Sequence, residues 1–211
     1  VVNPIIVLFA IKGGGGKTTL AASIAGLLLQ QKKAVALIDA DPQRSLTEWH
    51  GAGGPLSEIP LVTDATGKAA ARAVELSKKS IVIVDTPGFA NREQLDLLAV
   101  ADRVLIPCRP SALDARRAME ALEMVETVNS TRRKKAIAAV VMNAAIRSTI
   151  VGHIRNELVA GGARVLGAEI GQRTAYAEAE LYGSAPCFMG RAAQKAADEV
   201  AAVTGEILRT S

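Results

Sequence analysis

Aromatic side chains are scarce in this chain: three Phe, two Tyr and one Trp, 3% of 211 residues. A core built without them is packed from Ala, Val, Ile and Leu, which suits helices layered on a sheet. The scarcity also excludes an aromatic platform on which single-stranded nucleic acid could stack. Cysteine is equally sparse. Cys108 and Cys187 stand far apart without metal-ligand spacing, so a disulfide scaffold is excluded and free thiols in a reducing compartment are expected. No apolar run approaches the ~18–20 residues that span a bilayer. Val1-Val2-Asn3-Pro4 leads into an apolar run without a basic-then-apolar leader. Repeats and low-complexity tracts are lacking, and Gly51-Ala52-Gly53-Gly54-Pro55 is a loop too short to link two domains. The expectation is one soluble, cytoplasmic domain over residues 1–211.

What is present is an alternation of apolar runs and helical patterns. The runs predict strands at 5–10, 34–39, 80–85, 103–108, 136–142 and 164–169, with 60–63 a weaker candidate. Helical spacing predicts helices near 17–31, 66–78, 91–100, 111–128, 149–161, 174–182 and 190–209. Ser111, followed by Asp114 three residues on, reads as a helix N-cap. Strands apolar on both faces that alternate with helices predict an α/β fold, a mostly parallel twisted sheet with helices on both sides.

Residues 12–19, Lys-Gly-Gly-Gly-Gly-Lys-Thr-Thr, follow the first apolar run. The general phosphate-loop pattern would require a glycine at position 11, where Ile11 stands; here it is compressed, with Lys12 in front. Glycines let successive N–H groups turn inward on an anion, and the helix that begins near Lys17 adds its positive end. Gly13, Gly14, Gly15, Gly16, Lys17, Thr18 and Thr19 are therefore candidate phosphate contacts, with Lys17 on the β/γ-phosphates and Thr18 on Mg²⁺.

Ligands of parallel sheets bind beyond the strands' carboxyl ends. Asp39 closes the run 34–39, Asp41 follows in the next loop, and Asp85 closes Ile81-Val82-Ile83-Val84-Asp85 before Thr86-Pro87-Gly88. Four apolar residues and then Asp is the form of a Walker B strand, so Asp85 is a candidate for the metal shell. Asp39 is a candidate for the same shell, or for orienting Lys17. Asp41 is a candidate for positioning the attacking water, the alignment on which phosphoryl transfer depends.

Lys12–Thr19, Leu37–Gln43 and Ile81–Gly88 together resemble the ParA/MinD group of deviant Walker A P-loop ATPases. Ile106-Pro107-Cys108-Arg109-Pro110-Ser111-Ala112-Leu113-Asp114 is similar to a segment of the partition ATPases, and the short chain looks most like the small ParF-like plasmid partition proteins. The likeness runs from about residue 5 to about residue 205. It implies an ATP·Mg²⁺-dependent homodimer in which Lys12 crosses to the partner's phosphates. It also implies weak hydrolysis stimulated by a ParB-like or adaptor protein. Adenine is implied near Asn143 and Pro186.

Net charge of +4 permits an anionic partner without demanding one. The resemblance implies non-specific binding of double-stranded DNA, hence nucleoid association. Arg147, Arg155 and Arg173 are candidate contacts, and Arg132-Arg133-Lys134-Lys135 is a basic run after a helix. Two alternatives remain open. A MinD-like membrane-associated switch needs a basic amphipathic tail, but residues 199–211 hold two acids and a single arginine. An ATP-using reductase or ligase of the same fold needs paired interface cysteines or a second-substrate pocket.

Overall fold

The computed structural model describes residues 3–64, 66–89, 91–146 and 148–209. Seven strands form one sheet in which every neighbouring pair is parallel: β1 (Ile5–Leu8), β2 (Val35–Asp39), β3 (Leu61–Thr63), β4 (Ile81–Asp85), β5 (Arg103–Cys108), β6 (Ile137–Ala145) and β7 (Val165–Gly171). Their order is β3-β2-β4-β1-β5-β6-β7. Eight α-helices intervene: α1 (Lys17–Gln30), α2 (Ser45–Gly51), α3 (Ala69–Ser77), α4 (Arg92–Val100), α5 (Ala112–Ser130), α6 (Thr149–Ala160), α7 (Thr174–Leu181) and α8 (Gln194–Arg209).

Pleating sorts each strand into two cores. Ile6 and Leu8 of β1 face one side with α1, α2, α7 and α8; Ile5 and Val7 face the other with α3, α4, α5 and α6. Small residues bring the layers close. Ala21, Ala22 and Ala25 of α1 and Ala115, Ala118 and Ala121 of α5 are all buried, so the interior fills without aromatics.

The expected elements all occur; one boundary moves in an informative way, and one helix is added. β6 runs on through Asn143 to Ala145, with a register irregularity beyond Met142 and Ala144 at φ 51. A left-handed Ala is strained, and such strain gathers at functional sites. Helix α2 was not expected. Its signal was short: Leu46 and Trp49, the two buried residues, lie three apart over a single turn.

Strand β7 is a sheet edge at which three N–H groups are held by α8. Glu206 of α8 accepts from Gly167 (2.8 Å) and Ala168 (2.7 Å), and Glu199 accepts from Gly171 (3.1 Å).

Candidate functional site

The order of the strands sets the site. β1 lies between β4 and β5, so the loop leaving β1 emerges mid-sheet, and the loops that follow β2 and β4 stand beside it. A cleft of about 530 Å³ opens there, lined by the phosphate loop, Asp41, Trp49, Gly88 and Arg109 among others.

Gly16 caps α1 with φ 90, a conformation that a Cβ disfavours. A Cβ at Gly16 would also lie 2.1 Å from Asn143 Nδ2. Gly88 matters in another way: a Cβ there would fall 2.5 Å from the backbone N of Gly13, so the β4–α4 loop touches the phosphate loop main chain to main chain. Gly15 has no such demand, since its nearest neighbour would be Pro107 O at 3.6 Å.

Lys17 is buried at the start of α1. Burial lowers its pKa, while the charges of Asp85 and Asp41 raise it. Thr18 Oγ1 donates to Asp85 Oδ2 at 2.6 Å. Asp85 Oδ1 is buried and has no partner among the described residues. Burial pushes the Asp85 carboxyl up to about 7; Thr18 and Lys17 oppose that rise, and Asp39 and Asp41 add to it. An orphaned carboxylate oxygen beside a threonine hydroxyl is the donor set that a hydrated Mg²⁺ takes.

Asp39 pairs with Asp85 across the β2–β4 ladder, but its oxygens are engaged. Asp41 N–H donates to Oδ1 (3.1 Å), and Thr47 donates to Oδ2 through its N–H (2.8 Å) and its hydroxyl (2.7 Å). Sequence reasoning missed Thr47, since a threonine six residues past Asp41 belongs to no contiguous motif. Trp49 was also missed. Its indole N–H donates to Ser184 O (2.9 Å) while the ring lines the cleft.

Lys12, which precedes the glycines, is half-exposed and lies 3.6 Å from Asp114. Asp114 belongs to the cap foreseen at Ser111: its N–H donates to Ser111 Oγ (3.1 Å), and Ser111 Oγ donates back to Asp114 Oδ2 (2.7 Å).

The structure does not bring Asn143 and Pro186 together. Asn143 Nδ2 donates to Gly15 O at 2.6 Å, bracing the loop from behind. Pro186 is buried in a short 3-10 turn, Pro186–Phe188, that packs on α1; a Cβ at Gly26, nearly three turns into that helix, would meet Ala185 and Phe188. Beyond β6 and β7 a separate hollow is lined by Ala145, Ile146, Gly171, Gln172, Arg173 and Glu199 among others.

These features meet in a family. Residues 6–187 match the family described as CbiA, the CobQ/CobB/MinD/ParA nucleotide-binding domain. The chain belongs to it. Within the CobQ/CobB/MinD/ParA family, Protein ParA of Rhizobium radiobacter is 32% identical over 185 residues, 85% of this chain and 83% of that protein. Maintenance of carboxysome distribution protein A of Halothiobacillus neapolitanus is 29% identical over 202 residues, 94% of this chain and 93% of that one. Among solved structures, a Cyanothece McdA variant in complex with ATP superposes with a TM-score of 0.80 at 19% identity, over 99% of this chain and 97% of that chain. The Aquifex aeolicus MinC:MinD complex gives 0.75 at 20% identity, covering 99% and 96%. At those identities the likeness shows the fold alone, the parallel sheet with helices on both sides of the ParA/MinD type.

The basic residues sort themselves. Arg132 donates to Leu98 O and Ala101 O, both at 2.8 Å, and so caps the end of α4; Lys134 pairs with Asp102 at 2.5 Å. Arg155 donates to Leu166 O and pairs with Glu169, while Arg173 pairs with Glu199. Arg155 and Arg173 are thus engaged with β7 and α8. Arg147 lies outside the described residues. Arg133, Lys135 and Arg164 remain exposed without an ion pair among the described residues.

Cys108 and Cys187 belong to cores on opposite faces of the sheet. Burial pushes their thiols up, to about 12 and about 11, so neither carries a thiolate at neutral pH. No described helix is long and apolar enough to cross a membrane.

Proposed function

We propose that this chain is an ATP-dependent dimerising switch with weak ATPase activity, which partitions or positions a plasmid, chromosome or protein assembly by binding duplex DNA non-specifically. The observation that carries this reading is the convergence of the phosphate loop, the Thr18–Asp85 contact and Asp41 on one cleft, with Lys12 half-exposed at the start of the loop. The relatives named Protein ParA and Maintenance of carboxysome distribution protein A support it.

The roles follow from position. The N–H groups of residues 13–19 and the start of α1 hold the phosphates, and Lys17 neutralises them. Thr18 and Asp85 would hold Mg²⁺, with Asp39 beside them. Once bound, the ion would supply charge neutralisation on the phosphate oxygens. Asp41 orients water. Lys12 leaves Asp114 and reaches the nucleotide of a second copy, which makes the dimer depend on the terminal phosphate. Asn143 and the hollow beyond β6 and β7 receive the base; Pro186 supports α1 from outside that space. A ParB-like or adaptor partner stimulates turnover. The apolar face of α8, with Val200, Val203 and Ile207, is buried in the core, which counts against a helix lying in a membrane surface.

The test is Asp41→Ala with ATP·Mg²⁺ or ADP, followed by mass measurement and by binding to random-sequence duplex DNA across a salt series. The expected outcome is an ATP-bound dimer without turnover that binds DNA only with ATP, with affinity falling steeply as salt rises. Normal hydrolysis by this variant would remove Asp41 from its role. A dimer that ignores DNA in both nucleotide states would remove the DNA track.

A further inference from the structure

The two carboxylates that end β2 and β4 lie side by side but differ in their contacts. Asp85 keeps one oxygen without a partner among the described residues. Asp39 receives three donors, one from Asp41 N–H and two from Thr47. A fourth contact extends the chain: Thr47 Oγ1 lies 2.9 Å from Thr63 Oγ1 on β3. If the Thr47 hydroxyl donates to Asp39, the Thr63 hydroxyl donates to Thr47, and the row Thr63–Thr47–Asp39 has one direction.

Between its two attachments to Asp39 the chain makes a tight reversal. Gln43 N–H donates to Asp41 Oδ1 (2.9 Å), Arg44 N–H donates to Asp41 O (2.9 Å), and Arg44 adopts φ 57. Residues 40–47 therefore close a ring on a single buried carboxylate. Asp41 rides on that ring, and α2 with Trp49 continues from it. Bonds to an ionised carboxylate are the strong kind, and they hold geometry as well as energy.

We infer that Thr47 is the positioning residue for Asp41, and that Asp39 serves as the anchor of the loop in preference to the metal shell. The inference rests on the ATPase reading above and deepens it. Thr47 touches neither phosphate nor water in this role; it acts by fixing where Asp41 stands.

The experiment compares wild type, Thr47→Val and Thr47→Ser for ATP binding and for basal single-turnover hydrolysis, with Trp49 emission as a reporter of α2. Supporting groups of this kind alter rates about 10- to 100-fold. Thr47→Val is expected to lose about that much in kcat while its ATP affinity stays within about threefold. Thr47→Ser, which retains hydroxyl and N–H, is expected to recover most of the rate. Wild-type kcat in Thr47→Val overturns the inference. So does an equal loss of binding and rate accompanied by a shifted Trp49 spectrum, because that marks a structural role only. The two readings fail separately. A wild-type chain that never hydrolyses ATP overturns the switch and with it Thr47's role, whereas normal turnover in both wild type and Thr47→Val overturns Thr47's role alone.

Discussion

At the phosphate end of the cleft, residues 12–19 supply the anion cradle in one unbroken stretch, and the aspartates around it close β2 and β4 or follow at once. At the β7 end of the sheet, the separate hollow draws on Gly171, Arg173 and Glu199, brought together from β7, the residues after it and α8. The first end is written locally, in backbone geometry. The second is assembled by long-range packing and exists only once the sheet has formed. Asn143 ties β6 to the phosphate loop, because its amide reaches back to Gly15.

Gly16→Ala should break that joint with the largest effect. The new methyl meets Asn143 Nδ2 at 2.1 Å and sits on a backbone with φ 90. Strain of this kind costs about 1–3 kcal/mol before the clash is relieved. ATP binding should fall at least about 100-fold, whereas Gly15→Ala, with 3.6 Å to its nearest neighbour, should stay within about threefold of wild type. Titration with a fluorescent ATP analogue checks both variants. Equal losses in the two would mean that the loop has no privileged positions.

Asp85→Asn probes the difference in charge between the two ends. Burial raises Asp85 from the ordinary 3.8 to about 7 in the nucleotide-free chain. The folded state therefore keeps a proton that the unfolded state has released, and stability falls as pH rises from about 4 to about 7, then levels off. The asparagine variant lacks this slope. Its margin in melting temperature over wild type should widen across that window and stay constant above it, as thermal melts in a pH series would reveal. The Arg173–Glu199 pair at the opposite end carries compensating charges and should add no slope at neutral pH. A parallel pH response in wild type and Asp85→Asn would move the buried proton elsewhere.

The smallest effect is expected from Asn143→Ala. One hydrogen bond to Gly15 is lost, about 0.5–1.5 kcal/mol net, which corresponds to roughly a two- to tenfold weaker hold on ATP. If ADP and inorganic triphosphate weaken alike in a competition assay, Asn143 acts on the loop. If only adenine-bearing ligands weaken, it acts on the base.

These contrasts explain what could be read without coordinates. The strand and helix pattern, the loop 12–19, the Ser111 cap and the Asp85 strand end follow from short-range rules: period, glycine content and an acid after four apolar residues. Lys12 and Lys17 needed only their motif to be singled out. Thr47 did not announce itself, because its partner Asp39 lies eight residues away across a turn held by a left-handed Arg44. Pro186 was assigned from a family pattern and packs on the flank of α1, since the segment after α7 folds back over Gly26. Arg155 and Arg173 looked like free surface cations, but their partners Leu166, Glu169 and Glu199 come from β7 and α8, which no pattern in the chain pairs with them.

Strand β7 carries a last consequence, for assembly. An open strand invites a neighbour's strand to add to it, and growth of that kind has no built-in stopping point. Here Glu206 and Glu199 already hold the N–H groups of Gly167, Ala168 and Gly171. A second chain arriving at this margin would meet carboxylates where it needs donors. Strand-by-strand extension is discouraged on this side, and any higher-order species grown from this edge must first peel α8 away.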